Sequence, residues 1–298
     1  MKQKFISFYI FMIISLGNAY SQVTTEQIYY GASSLSMSAS DVALPKDSWS
    51  LFVNAAGIAR QQGLSLVASS HSHFNQDYLS HSLLGFQFKT SKYGAYGISV
   101  ENFSVDYSGS NLSAETAIGF HQGIMLRSDR SSSFSIGYGI KYYNIDYGSS
   151  AGPSGDGSDG IKLGSLSTFG LDISFLGSLA DRIRVGAKAL NINSPTQGDA
   201  NNSTRLPQRS QIGIAYSPYD LVWTTVSLNK SVGHPTHFSS GLSYEIQKNI
   251  FLKTGIQTSP NRFSSGFEVY FKKIKIDYGF ITHPVLPLSH QISIEVNR

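Results

Sequence analysis

From Gly63 to Arg298 one device recurs about fourteen times: an apolar residue at every second position, small or polar residues between, then a short polar turn. It is clear in Leu84/Phe86/Phe88, Phe134/Ile136/Tyr138/Ile140, Phe169/Leu171/Ile173/Phe175, Ile274/Ile276/Tyr278/Phe280 and Ile292/Ile294/Val296. Successive side chains of a strand point to opposite faces, so a period of two is the strand signature. The second face carries Lys89, Lys141, Asp172, Arg182, Arg184, Lys188, Lys253, Lys275, Asp277 and Glu295. Sheets that are apolar on one side and charged on the other, strand after strand, describe a barrel with lipid outside and a wetter lumen inside.

The reading is therefore all-β: a transmembrane antiparallel β-barrel of about 14 strands over residues 63–298. Strands are expected near 64–74, 78–90, 92–107, 112–127, 131–147, 161–177, 181–193, 206–217, 219–230, 236–247, 249–258, 261–271, 273–282 and 288–297. After each even strand the connection is tight and polar, as at Ser128-Asp129-Arg130, Ala180-Asp181 and Lys272-Lys273. After odd strands it is often longer, notably Gly148 to Gly160 and Ser194 to Arg205. Outer-membrane barrels have short periplasmic turns and longer external loops, which fixes the expected orientation.

No segment approaches eighteen consecutive apolar residues, so helical membrane spans are excluded. Residues 1–21 read as a secretory signal peptide: Lys2 and Lys4, an apolar core from Phe5 to Leu16, then the small or polar tract Gly17 to Ser21. The chain has no cysteine, hence no thiolate chemistry and no disulfide. Charged residues make up 14%, against about 25% in soluble domains. Lys2 and Lys4 supply two of the formal +4, leaving +2, too little to argue for nucleic acid.

Residues 22–62 break the alternation. They hold small-residue runs around Gly31 and Ser36 to Ser40, then Trp49 to Ala59, and are too short and too poor in large apolar residues to form a core of their own. The natural place for such a segment is the lumen, as a hatch, with Gly31, Trp49, Phe52, Asn54 and Gly57 as its marked residues. Glycines on the inward face, among them Gly85, Gly97, Gly119, Gly137, Gly139, Gly170, Gly186, Gly213, Gly255, Gly266 and Gly279, would clear space for it.

Three features together resemble the FadL-like outer-membrane superfamily, and within it the PorV/PorQ-like proteins of Bacteroidota. The stretch Trp49-Ser50-Leu51-Phe52-Val53-Asn54-Ala55-Ala56-Gly57-Ile58-Ala59 is similar to the family's NPAGLA element, with Ala55 in place of proline. Lys275 to Phe280 and the final Leu288-Ser289-His290-Gln291-Ile292-Ser293-Ile294 resemble its closing strands. The resemblance implies a fourteen-stranded barrel with an N-terminal hatch, in the outer membrane of a Gram-negative cell. It implies either an accessory or scaffold role in type IX protein secretion, with envelope proteins as partners, or transport of hydrophobic compounds. The accessory role is the first expectation and transport the alternative. No cofactor is implied.

Local chemistry is sparse. His71, His73 and His81 share the inward parity, and a hairpin near Gln76 would set His71 opposite His81, at the roughly 5 Å of directly paired side chains. Such imidazoles are weak candidates for a transition-metal site, since spacing fixes no fourth ligand. The loop Gly152 to Gly160 offers Asp156 and Asp159 but lacks the alternating ligand order of a calcium loop. Arg182, Arg184, Lys188, Lys253 and Asp277 are expected as lumen charges. No Gly-x-Ser-x-Gly element or spaced Ser/His/Asp set is present, so no enzyme is expected.

Overall fold

In a computed structural model, described for residues 29–45, 47–90, 94–107, 110–150, 152–155, 159–198 and 204–298, the alternating stretches form one closed antiparallel barrel of fourteen strands. The expected signal peptide, the first residues of the 22–62 segment, and Asp156 lie outside the described residues.

The barrel strands are β1 (Leu64–Ser72), β2 (Leu79–Thr90), β3 (Gly94–Tyr107), β4 (Ser110–Ser128), β5 (Ser133–Asp146), β6 (Ser165–Leu179) and β7 (Ile183–Leu190), followed by β10 (Arg209–Tyr216), β11 (Val222–Ser231), β12 (His237–Gln247), β13 (Ile250–Gln257), β14 (Arg262–Phe271), β15 (Ile274–Ile281) and β16 (Ser289–Asn297). Two-residue strands β8 (Thr196–Gln197) and β9 (Thr204–Arg205) pair within the connection between β7 and β10. Each neighbour in sequence is a neighbour in the wall, and β1 pairs with β16 from Ser65↔Asn297 to Ser72↔His290, so the barrel has no free edge.

Parity decides which side each residue faces. Along β10 the pattern alternates strictly, with Gln211, Gly213 and Ala215 buried and Ile212, Ile214 and Tyr216 exposed. Exposed Leu84, Ile98, Phe120, Ile140, Leu228 and Ile276 continue this apolar coat around the barrel. In water such a surface would aggregate; in lipid it is the expected outer face. The strand starts at Leu64 and ends at Asn297 lie at the end with the tight turns, which turn length assigns to the periplasm.

Residues 29–62 fill the lumen. They form a helix at Ala32–Ser36, 3-10 turns at Asp41–Ala43 and Asp47–Trp49, a helical turn at Ser50–Val53, and a 3-10 run at Ala55–Arg60. Elements this short have no stability of their own and are held by what surrounds them. The wall comes unusually close. A Cβ on Gly137 would lie within 3.0 Å of the backbone of Ala55 and Ala56, and one on Gly186 within 3.0 Å of that of Val42 and Ala43. Gly85, Gly97, Gly213, Gly255, Gly266 and Gly279 likewise abut the plug, whereas Gly119 and Gly139 make room for the His121 ring and Gly170 for Asn191.

Candidate functional site

The plug leaves a hollow at the outer end of the lumen. This outer cavity, about 320 Å³, is walled by the outer ends of the strands: His71 of β1, Leu190 of β7, Arg209 of β10, His237 of β12, Arg262 of β14 and Ile281 of β15 all contribute. Tyr29 and Tyr30, the first described residues of the plug, form its floor, and Phe74 leans in from the β1–β2 connection. Among the described residues that line it none is acidic, whereas Lys188, Arg209, Lys230 and Arg262 are cationic.

Below Tyr30 lies a second hollow of about 290 Å³, lined by plug residues Ser34, Met37, Asp41 and Trp49 and by wall residues Arg184, Trp223 and Lys253. Tyr30 lines both hollows. Its ring stacks on Phe52 at 5.9 Å, and the Lys188 ammonium lies 5.1 Å above it, a cation–π arrangement that fixes the ring. A third hollow of about 790 Å³ opens at the inner end beside Ala59, Arg60 and Lys89, and Arg184 lines both it and the second. The Arg184 guanidinium sits 4.5 Å over the Trp223 ring.

The marked hatch residues converge on one packing unit. Trp49 stands against Gly31, whose φ of 87° and lack of a Cβ let the indole lie on its backbone. Trp49 and Phe52 contact each other at 5.7 Å. The Asn54 side chain accepts from Ala56 N–H at 3.1 Å, capping the 3-10 run, and donates to the carbonyls of Val42 at 2.8 Å and Phe175 at 3.0 Å. Gly57 lies against Pro45 and Ser50.

The lumen charges separate by environment. Lys253 and Lys275 are buried in a network: Lys253 pairs with Glu268 at 2.5 Å, and Lys275 lies 2.9 Å from Glu295, 3.0 Å from Asp47, 3.8 Å from Asp277 and 3.9 Å from Glu268. Asp47 belongs to the plug, and Ser48 donates to Glu295 from both its amide, at 3.2 Å, and its hydroxyl, at 2.7 Å. The network ties plug to wall. Arg184 and Lys188 line hollows, but Arg182 departs from the expected row. It precedes β7 in the turn with Ala180 and Asp181, both at positive φ, and pairs at 2.8 Å with exposed Asp220. The pleat begins only at Ile183, so parity does not extend to Arg182.

His71 and His81 are in register across β1 and β2, both buried, with rings 5.7 Å apart. His73 folds back from the connection, its Nε2 3.1 Å from His81 Nδ1 and its ring 3.8 Å from that of His71. Burial, with His81 and Arg262 adding to it, pushes the His73 pKa down to about 3, so this ring is neutral at physiological pH. The opposite nitrogen of His81, Nε2, meets Glu101 Oε1 at 3.2 Å. Glu101 escaped the sequence reading, although the β2–β3 register sets it against Leu83, diagonal to His81. In the Gly152 to Gly160 loop, the Asp159 carboxylate accepts from Ser154 N–H and Oγ, so it closes its own turn.

No family model and no curated protein matches the sequence. Solved structures do match. The Pseudomonas putida toluene transporter TodX superposes with a TM-score of 0.63 at 11% identity, covering 91% of this chain and 99% of that one. The Ralstonia pickettii toluene transporter TbuX gives 0.62 at 10%, covering 91% and 99%. A Pseudomonas aeruginosa FadL homologue gives 0.58 at 9%, covering 90% and 98%. The chain thus has the fold of FadL-type outer-membrane barrels along nearly its whole described length.

Proposed function

We propose that this barrel passes apolar solutes, preferentially those with an anionic head, from its outer mouth to its inner face without chemical change. The observation that carries the reading is the succession of three hollows, adjacent through Tyr30 and then Arg184. The outer hollow combines aromatic and aliphatic walls with cationic side chains, the composition of a site that orients an amphipathic anion. Neighbours of like fold that are named as toluene transporters support passage of apolar molecules. Of the two roles implied by the sequence resemblance, transport is the one carried forward, because the toluene transporters named above share this fold.

The test is flux of labelled dodecanoate and of toluene into vesicles holding the full barrel. Tyr30→Ala should raise flux of both, since it removes the ring between outer and middle hollows. Arg262→Gln should lower dodecanoate flux and leave toluene unaffected. Unchanged flux of both solutes in Tyr30→Ala overturns the route. A stable envelope-protein partner recovered with a barrel that passes neither solute would favour the accessory role instead.

A further inference from the structure

We propose that His71, His73 and His81 bind one divalent transition-metal ion of the zinc class at the outer mouth, with Glu101 holding His81 in the ligating tautomer. One nitrogen from each imidazole lies within 4.8 Å of the other two, and His71 and His73 line the outer cavity. The edge between His73 Nε2 and His81 Nδ1 is 3.1 Å. Two ligands of a tetrahedral zinc, each about 2.0–2.1 Å from the metal, stand at nearly that separation. The His71 ring lies 3.8 Å from that of His73, with the planes tilted by 32°.

Three further observations separate this cluster from histidines that merely line a polar lumen. First, the contact from Glu101 Oε1 to His81 Nε2 places the proton on that nitrogen and turns the Nδ1 lone pair toward His73. That is the carboxylate–histidine–metal relay, and its charge offsets part of the ion's. Second, His73 is brought in by an unusual turn: Phe74 and Asn75 have φ of 52° and 53°, and for a bulky residue such as Phe74 this conformation carries strain. The turn is pinned to β16, where Phe74 N–H donates to Ser289 Oγ at 3.0 Å, and the Phe74 ring meets His283 at 5.3 Å. Third, buried Phe103 closes the far side, its ring 5.7 Å from that of His73 and 6.0 Å from that of His81. The set is three imidazole nitrogens with no thiolate, which suits zinc, copper(II) or nickel(II) and disfavours calcium or magnesium. Because His71 and His73 line the outer cavity, a fourth ligand, water or an anion, would come from that side. A metal there would staple the β1–β2 connection, and Phe74 with it, over the mouth.

The experiment is calorimetric titration of the folded full-length barrel in detergent with Zn²⁺, and absorption spectra with Co²⁺ as a geometric probe. One ion per chain, with the intense visible bands of four-coordinate cobalt, is expected. His73→Gln lies in a connection and leaves the sheet intact, as circular dichroism will check; it should weaken binding at least tenfold. Glu101→Gln should weaken it by about 10–100-fold while keeping the stoichiometry. His237→Gln, on another part of the cavity wall, should change nothing. Binding by His73→Gln equal to that of the parent, binding abolished only by His237→Gln, or no saturable uptake at millimolar Zn²⁺ each overturns the proposal.

Discussion

Two levels of one lumen are built on opposite plans. At the plug, two buried lysines are matched by carboxylates: Lys275 has four of them within 3.9 Å, and Lys253 has Glu268 at 2.5 Å. Above Tyr30, four cations line a hollow whose described lining holds no acid. A buried charge without a partner is costly, so the lower level is stable only when complete and gains nothing from a visitor. The upper level gathers cationic and imidazole groups around open space, where an anion or a metal can enter. The lower level is therefore closure and the upper level reception.

Lys275→Met attacks the lower level where the contrast is greatest. It would leave Glu295, Glu268 and Asp277, all nearly inaccessible, without their shared cation. Breaking a buried ion network by removing one member costs about 3–5 kcal/mol. The expected outcome is a lowered denaturation midpoint in detergent and higher small-ion conductance in planar bilayers, because Asp47 of the plug loses its ammonium partner and so does Glu295, which holds Ser48. A variant with the parent's midpoint and conductance would mean that the network does not hold the plug.

Gly137→Val tests closure by proximity. Its side chain would enter the space held by the Ala55–Ala56 backbone, and overpacking of this kind costs about 1–3 kcal/mol. Gly177→Val is the matched control. Gly177 lies on β6 with only the edge of Phe134 and a Ser133 carbonyl near 4 Å, so a larger side chain fits there. Limited proteolysis of the plug should accelerate in the first variant and not in the second; equal rates would break the link between the inward glycines and the plug.

What the sequence made legible divides along the same line. Strand positions follow from parity because lipid and lumen sort side chains residue by residue, and each of the fourteen strands falls within a few residues of its expected place. The inward glycines pointed to a visitor in the lumen, and Gly137 and Gly186 meet its backbone. The outer cavity was not legible, since it combines His71 of β1 with Leu190, Arg209, His237 and Arg262 of β7, β10, β12 and β14, walls that come together only in the closed barrel. Likewise the pairing of His71 with His81 could be counted along one hairpin, but Glu101 needs the next register as well.

Arg182 is where counting by parity ends, and it yields the smallest expected effect. Its guanidinium lies 49% exposed at the inner rim beside an 88% exposed Asp220, and exposed ion pairs contribute about 0–1 kcal/mol. Arg184, two residues on, projects into the lumen over Trp223 and lines the passage between hollows. Arg182→Ala should therefore leave unfolding and flux unchanged, whereas Arg184→Ala should alter flux through lost packing on the indole. The two arginines are two residues apart but stand in different settings, Arg182 in the turn and Arg184 in β7, so the pair compares an exposed rim charge with one that faces the lumen. If Arg182→Ala instead destabilised the barrel as much as Lys275→Met, the rim would belong to the matched, closed level, and the boundary drawn here between inner rim and lumen would have to move.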